Sequence, residues 1–263
     1  MHSNPNLDAR VSPLIETHAL TKQFGGTAAV RALTLSIPKG QIFGLLGPNG
    51  AGKTTTVKML TGMIPPTSGT ATVSGWDVQE SPVAVKERIG VVPESGAVFQ
   101  SLTPREYLQF VGRLYHMDES DILLRLQELT ALFGLTDQTD RPMTTFSKGM
   151  RQKVVIASAL LHEFDVLFLD EPLTGLDANT AMLMKELLRK LARNGKTVFY
   201  CSHILEVVEN LCDRVAILDQ GNIVADGSIT ELKDMTRQSS LEGVFRQLTG
   251  SGDAAELVRG LRL

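Results

Sequence analysis

The stretch 47–54, with the sequence GPNGAGKT, holds the residue types with the clearest chemistry in this chain. It follows an apolar run at 42–46 and matches the pattern G-x-x-x-x-G-K-[ST], which is typical of phosphate-binding loops. Its three glycines allow backbone N–H groups to turn toward phosphate oxygens. A helix is predicted to follow at about 53–60, and its positive N-terminal end would face the same anion.

Two side chains of this loop would complete a nucleotide site. Lys53 would neutralise charge on the β- and γ-phosphates, and the Thr54 hydroxyl would ligate Mg²⁺. The alternative is a glycine-rich turn that binds nothing; the apolar run before it and the helix-compatible run after it favour nucleotide binding. The predicted nucleotide-binding residues are Gly47, Pro48, Asn49, Gly50, Ala51, Gly52, Lys53, Thr54 and Thr55.

Two adjacent carboxylates, Asp170 and Glu171, follow the apolar run 166–169. We expect this run to be a strand next to the strand of the loop, because parallel strands bring their carboxyl ends to one edge of a sheet. Asp170 would hold Mg²⁺ through water, and Glu171 would orient or deprotonate the attacking water. The alternative is a pair of solvated charges; the loop upstream favours the functional interpretation.

A second candidate for anion binding is Ser147 with Gly149, in the sequence FSKGM before an apolar run at 154–161. An exposed helix N-terminus with a hydroxyl and a glycine N–H would bind an anion. The simpler interpretation is that Ser147 caps the helix. The residues alone favour the cap.

Apolar periodicity predicts the elements that must position these residues. Continuous apolar runs at 42–46 and 166–169 indicate strands buried on both faces, whereas alternation at 14–20 and 32–37 indicates half-buried strands near a sheet edge. The segment 95–160 is predicted to be a helical insertion between strands of this α/β core.

Helix starts within the insertion are marked by capping residues. Thr103 begins a capping box with proline at the next position and Glu106 three residues on. Asp118 is predicted to cap a second helix, which Gly134 would end. Further along, the residues around Gly221 predict a β-hairpin.

Composition describes an ordinary globular protein of 263 residues, with 43% hydrophobic residues and a net charge of −3. This charge gives no global reason to expect a nucleic-acid partner. Cys201 and Cys212 form no metal or redox spacing and are predicted to be buried free thiols. No signal peptide is predicted in residues 1–12 and no membrane span anywhere, so a cytoplasmic protein is expected.

Five motifs follow one another in this chain: the phosphate-binding loop, the Ser-x-Gly motif at 147–149, the carboxylate pair, Gly-Leu-Asp at 175–177, and His203 after a predicted strand. Over about 14–235 the chain thereby resembles the ATP-binding subunits of ABC transporters. The resemblance implies ATP and Mg²⁺ as ligands and ATP hydrolysis as the activity. It also implies an α/β fold, with a P-loop NTPase (RecA-like) core, an antiparallel β subdomain and an α-helical insertion subdomain.

The chain is expected to have three parts. Residues 1–12 are expected to be a flexible N-terminal tail, and 13–235 to be the ATPase domain, with its helical subdomain at about 95–160. Residues 236–263 are expected to be a C-terminal helical tail of the same unit.

The resemblance implies roles at matching positions. Phe24 would stack on adenine, although a plain apolar residue at a strand end is the alternative. Ser147 and Gly149 would reach the γ-phosphate bound by another subunit, and Asp177 would lie in the loop after the carboxylate pair. His203 would contact the γ-phosphate, with an ordinary polar residue as the alternative. The expected catalytic residues are Lys53, Glu171 and His203.

Two positions depart from the family pattern. The usual signature Leu-Ser-Gly-Gly-Gln is replaced by Phe-Ser-Lys-Gly-Met, so a ribose contact from the residue at Met150 is not expected, and Lys148 adds positive charge. Glu94 stands where the family has glutamine. An ionised carboxylate cannot donate a hydrogen bond, but it can bind Mg²⁺ or water. The expected Mg²⁺ residues are therefore Thr54, Asp170 and Glu94.

The motifs also predict partners. No arginine lies at an obvious finger position, so a signature helix from a second ATP-binding subunit would stabilise the charge, which implies a dimer closing over two ATP. The resemblance to bacterial type-2 exporters implies an integral membrane permease, with this chain peripheral at the inner face of the membrane. Alternatives are a soluble ATPase acting on nucleic acid or ribosomes, and a small-molecule kinase. The first would need a coiled-coil insertion or a second cassette, and the second leaves His203 without a purpose.

Overall fold

Two β-sheets form the framework of the residues that the computed structural model describes, 13–94 and 99–250. One sheet has the strand order β2-β1-β4-β5, and the other has the order β10-β9-β3-β8-β7-β6. The strands are β1 (Ile15–Phe24), β2 (Thr27–Ile37), β3 (Ile42–Leu46), β4 (Ser68–Val73), β5 (Trp76–Asp77), β6 (Ile89–Val92), β7 (Val166–Asp170), β8 (Thr197–Ser202), β9 (Arg214–Asp219) and β10 (Asn222–Ser228).

The larger sheet is parallel from β9 to β6, and β10 joins it through the antiparallel hairpin predicted around Gly221. Every residue of β3, β7 and β8 is buried, as the continuous apolar runs predict for strands covered on both faces. The sequence analysis predicted that β7 lies next to β3. This prediction is wrong, because β8 lies between the two strands. All three are parallel, so their carboxyl ends still meet at one edge.

The smaller sheet is antiparallel and packs on one face of the larger sheet. Its inward residues, such as Leu33 and Leu35 of β2, share a buried cluster with Leu45 of β3 and Phe199 of β8. Alternation of buried and exposed residues in β2 matches the half-buried pattern of the sequence. The two-residue strand β5 is too short to leave a periodic signal and was not predicted.

Helices cover the remaining surfaces of the larger sheet. Within the described residues they are α1 (Lys53–Leu60), α2 (Pro82–Glu87), α3 (Pro104–Leu114), α4 (Glu119–Leu132), α5 (Lys148–Ala159), α6 (Ala178–Arg193), α7 (Leu205–Leu211), α8 (Ile229–Thr236) and α9 (Leu241–Thr249). None of these is both long and apolar enough to cross a membrane.

The helices α3, α4 and α5 lie between β6 and β7, where the sequence predicts an insertion. Both hydrogen bonds of the predicted capping box form at α3: the Glu106 N–H donates to Thr103 Oγ, and the Thr103 N–H donates to the Glu106 carboxylate. Asp118 precedes α4 but its side chain accepts no capping bond, so that part of the prediction is wrong. Gly134 ends the segment with φ of 63°.

Three predicted features fall on parts of the chain that the structure does not describe. The N-terminal tail at 1–12, the start of the insertion at 95–98 and the end of the C-terminal tail at 251–263 lie outside the described residues. Both predicted thiols, Cys201 and Cys212, are buried and free.

Replacing Thr103 by alanine should lower the free energy of unfolding by about 1 kcal/mol, because the Glu106 N–H loses its side-chain acceptor. Urea unfolding followed by circular dichroism measures the change. Ser81→Ala is the matched control, since Ser81 precedes α2 in the same position but its side chain makes no capping bond. Equal losses in the two variants would contradict the importance of the capping box.

Candidate site for nucleotide binding and hydrolysis

The phosphate-binding loop joins β3 to α1 and is shaped by close backbone contacts. A Cβ atom at Gly47 would lie 2.4 Å from the Leu218 carbonyl oxygen, and one at Gly52 would lie 2.4 Å from the Ala29 carbonyl oxygen. Gly52 also has φ of 114°, a conformation that favours glycine. These two glycines are therefore required by the packing of the loop against β9 and β2.

A cleft of about 210 Å³ opens at this loop. It is lined by Ala29, Asn49, Gly50, Gly52, Lys53, Thr54, Thr55, Glu94, Asp170 and Glu171. The structure thus brings together six of the nine predicted loop residues, both carboxylates of the predicted pair, and Glu94. The other predicted site residues are not among those that line it: Phe24, Gly47, Pro48, Ala51, Ser147, Gly149, Asp177 and His203.

The Lys53 ammonium lies within the loop rather than in solvent. Its Nζ donates to the Gly47 carbonyl at 2.8 Å and to the Pro48 carbonyl at 3.2 Å, and the residue is only 7% exposed. Carbonyl dipoles replace part of the hydration that burial removes from the charge. A phosphate oxygen in the cleft would add a charged acceptor, whose hydrogen bonds are stronger than those of a neutral carbonyl.

Asp170, Thr54 and Glu94 form a row of oxygen atoms beside the loop. The Thr54 hydroxyl donates to Asp170 Oδ2 at 2.6 Å, and it lies 3.4 Å from Glu94 Oε2. Asp170 is 2% exposed, and its Oδ1 has no hydrogen-bond partner. Burial raises the pKa of Asp170; the nearby charges of Glu94 and Glu171 raise it further, while the Thr54 hydrogen bond opposes the shift.

These residues fit a divalent cation. A buried carboxylate oxygen without a partner, next to a hydroxyl and a second carboxylate, offers the hard oxygen ligands that Mg²⁺ prefers. Among residues 13–94 and 99–250, no group of three or more His, Cys, Asp or Glu side chains is arranged to hold a metal alone. Waters and phosphates would therefore complete the coordination, as is usual for Mg²⁺.

Glu171 is held in place by the residues at the end of β8. The Ser202 hydroxyl donates to Glu171 Oε2 at 3.2 Å, and the His203 N–H donates to Oε1 at 2.9 Å. The His203 Nδ1 lies 2.7 Å from the same Oε1. Glu171 has φ of 51°, a left-handed conformation that costs about 1 kcal/mol or more and persists only where surrounding contacts impose it.

Ser147 caps α5, as the simpler interpretation of the sequence predicts. Its hydroxyl accepts a hydrogen bond from the Met150 N–H at 3.2 Å. Gly149 lies so close to Gly175 that a Cβ atom would be 2.5 Å from the Gly175 carbonyl oxygen. Gly149 is therefore needed for packing between α5 and the loop before α6, whatever else it contacts.

Asp177 caps α6 and also contacts α5. Its carboxylate accepts hydrogen bonds from the Thr180 N–H at 2.9 Å and the Thr180 hydroxyl at 2.7 Å, and it pairs with Lys153 at 3.2 Å. These bonds to Thr180, with the Lys153 interaction, lower the pKa of Asp177 below its usual range. Gln152 adds a bond from its amide to the Pro172 carbonyl at 3.1 Å. Sequence reasoning did not identify Gln152, Lys153 or Ser202; only Ser202, adjacent to His203, carried a signal.

Phe24 lies at the end of β1 and is 53% exposed. The Lys22 Nζ lies 5.2 Å from the centre of its ring. The ring is thus open for stacking, but nothing in its surroundings distinguishes an adenine contact from an exposed apolar residue, so its role stays a prediction.

The fold and the site define a P-loop nucleoside-triphosphatase: a mostly parallel sheet with a GKT loop after one strand and an aspartate at the end of another. Residues 30–174 match the family model described as ABC transporter. The chain is 40% identical over 235 residues to the ABC transporter ATP-binding protein NatA of Bacillus subtilis (strain 168), covering 89% of this chain and 92% of that protein. It is 38% identical over 221 residues to the Nod factor export ATP-binding protein I of Ralstonia nicotianae, covering 84% and 69%.

A solved structure described as the ATP-binding subunit of an ABC transporter superposes with a TM-score of 0.85 at 29% identity, covering 89% of this chain and 99% of that one. The chain belongs to the ABC transporter family. It is an ATP-binding subunit and an ATPase. ATP-binding domains of this family dimerise and work with a membrane permease.

Lys53→Ala should abolish tight ATP binding, because the cleft loses the one ammonium group among its described lining residues. Titration with a fluorescent ATP analogue measures the affinity. Lys86→Ala, which removes a lysine from the last turn of α2, should bind as the unmodified protein does. Retained affinity in the Lys53 variant would mean that nucleotide binds elsewhere.

Proposed function

We propose that this chain is the ATP-hydrolysing subunit of an exporter, in which ATP-driven closure of two ATP-binding subunits drives translocation by a separate membrane permease. The similarity to a protein named for Nod factor export supports the direction of transport. The single observation that carries the catalytic part is the fixed position of Glu171 between the cleft and the Ser202–His203 segment.

Glu171 is the group that acts on the attacking water in this proposal. Its carboxylate lines the cleft, and its hydrogen bonds fix its orientation before substrate arrives. A positioned carboxylate can orient a water and take its proton as the water attacks the γ-phosphate. His203 lies 2.7 Å from the same carboxylate, so its imidazole would link Glu171 to the γ-phosphate region.

Charge on the phosphates must also be neutralised. Lys53 would supply one positive charge from within the loop. When bound, Mg²⁺ would supply positive charge that offsets the charge developing during transfer; Thr54, Asp170 and Glu94 are the residues that would hold it. The structure supports this assignment through the partnerless Asp170 Oδ1.

The remaining charge stabilisation would come from a second subunit. Ser147, Gly149 and the start of α5 are outside the cleft of their own chain, and the N-terminus of α5 carries no acidic residue in its first turn. A helix end of this kind attracts anions. We infer a head-to-tail pair in which this helix end faces the γ-phosphate of the other subunit, with Asp177 near the same junction.

The permease would dock near Glu94 and the helices α3 and α4. This position would place the chain at the inner face of the cell membrane, held there through the permease rather than by a span of its own. Closure of the two ATP-binding subunits would then move the docked permease, and hydrolysis would reset it.

Glu171→Gln should reduce ATP turnover by about a hundredfold or more, because the amide cannot accept the proton of the attacking water. ATP binding should remain, and the variant should accumulate as an ATP-bound dimer in size-exclusion chromatography. Glu163→Gln is the control, since Glu163 is a solvent-exposed carboxylate paired with Lys196 away from the cleft. Unchanged hydrolysis in the Glu171 variant would remove this residue from the catalytic role.

Mixing two inactive variants tests whether the site is shared. In a homodimer that exchanges subunits, equal amounts of Ser147→Ala and Lys53→Ala should restore about a quarter of the unmodified activity, because half of the dimers are mixed and each has one intact site. Steady-state phosphate release measures the recovery. Each variant alone is the control, and absence of recovery at every ratio would argue against a site built from two subunits.

A further inference from the structure

A second cavity, of about 310 Å³, lies between α4, α6 and the turn that joins α5 to β7. No described residue lines both this cavity and the nucleotide cleft. Small-molecule sites commonly occupy clefts of about 300 to 1,000 Å³, so the cavity has room for a small ligand. One of its walls, α4, belongs to the helical insertion, and another, α6, belongs to the core. A ligand in the cavity would therefore contact both parts of the chain.

The walls of this cavity are mainly apolar and carry balanced charges. Arg125 Nη1 lies 2.7 Å from Glu128 Oε2. Lys196 Nζ lies 3.1 Å from Glu163 Oε2. These two ion pairs leave no excess charge to attract a charged ligand, whereas the apolar walls favour an uncharged one. The apolar side chains that line the cavity are Leu129, Leu132, Leu160, Phe164, Leu187 and Leu191.

His162, which also lines the cavity, has a ring nitrogen without a partner. The residue is 7% exposed, and its Nε2 lies 3.0 Å from the Ile89 carbonyl oxygen. Because a carbonyl only accepts, Nε2 carries the hydrogen and donates it. Burial lowers the pKa of His162 to about 4, so at neutral pH the ring is uncharged and Nδ1 has a free lone pair. Among residues 13–94 and 99–250, nothing donates to this Nδ1.

Aromatic neighbours hold the His162 ring in a fixed orientation. The ring stacks on Tyr115, with centroids 3.5 Å apart and an angle of 11° between the planes. It also meets Phe164 in an edge-to-face contact, with centroids 6.2 Å apart. A buried acceptor without a donor is costly, and here the acceptor cannot easily turn away to find one. A donor on a ligand in the cavity would remove that cost, and an aromatic ligand would pack well against Phe164.

We propose that this cavity binds an uncharged aromatic molecule with one hydrogen-bond donor, which donates to Nδ1 of His162 while its ring packs against Phe164 and the leucines. Indole is a simple molecule of this class, because its N–H only donates and leaves no acceptor to be satisfied. The proposal goes beyond the proposed function, since this site is separate from the nucleotide cleft and needs no second subunit.

Indole is the probe, and indene, which has a CH₂ group in place of the N–H, is the matched ligand. Ligand-observed NMR titration of the full chain measures both affinities. Indole should bind with a dissociation constant of about 1 mM or lower, and about fivefold more tightly than indene, as expected for one added hydrogen bond. The ¹⁵N resonance of His162 Nδ1 should shift when indole is added and should move less with indene.

Two leucines of α4 provide matched variants. Leu132 lines the cavity and Leu123 does not, and they are 38% and 40% exposed. Leu132→Trp should weaken indole binding about tenfold or more, because the larger side chain would fill part of the cavity. Leu123→Trp should bind indole as the unmodified protein does. Excess ATP should not displace indole, which distinguishes this cavity from the nucleotide cleft and from the exposed ring of Phe24.

Four results would each overturn the proposal. They are no saturable binding of indole at several millimolar, equal affinities for indole and indene, equal losses in the two leucine variants, and displacement of indole by ATP. Equal melting temperatures of the two variants establish that loss of binding is not loss of folding. The comparison of indole with indene uses the unmodified protein, so it tests the His162 contact even if a variant fails to fold.

Discussion

Parallel pairing of β3, β8 and β7 sets the geometry on which the site depends. In this register Leu46 lies opposite Ser202 and Asp170 lies opposite Cys201, so the three strands end at the same edge of the sheet. Glu171 follows directly, and its N–H donates to the Cys201 carbonyl at 3.0 Å. A slip of one residue in β7 would exchange the faces of Asp170 and Glu171. The two proposed roles, metal binding by Asp170 and water activation by Glu171, therefore depend on strand register.

The sequence predicts elements well where the signal is local. The apolar run 42–46 has the same bounds as β3, and the capping box at Thr103 forms as expected. Strand order depends instead on which distant segments pair, so periodicity could not show that β8 separates β3 from β7. Asp118 shows the same limit on a smaller scale: a favourable residue type at a helix start does not ensure that its side chain turns to the backbone.

The candidate site likewise has parts that the sequence encodes locally and parts that depend on distant segments. The residues of the loop follow one another in the sequence, and so do Asp170 and Glu171, so motif spacing alone located each of them. The contacts that orient Glu171 come from Ser202 and His203, more than 30 residues away. Likewise, the contacts of α5 with the segment 172–177 join residues about 20 or more positions apart, and no short motif encodes them. The groups that we propose to react are therefore visible in the sequence, whereas the groups that position them are visible only in the fold.

The position of Lys53 has a consequence for which anions the loop can retain. Two of the three N–H groups of its ammonium already have carbonyl acceptors in the loop, so an incoming anion can add one hydrogen bond to the ammonium without displacing a carbonyl. An anion of low charge density gains little from that single bond. A polyphosphate gains more, because several charged oxygens can meet the ammonium, the backbone N–H groups and the helix N-terminus together. With only one N–H of Lys53 left to meet a ligand, the loop favours an anion with several phosphates over a small single anion.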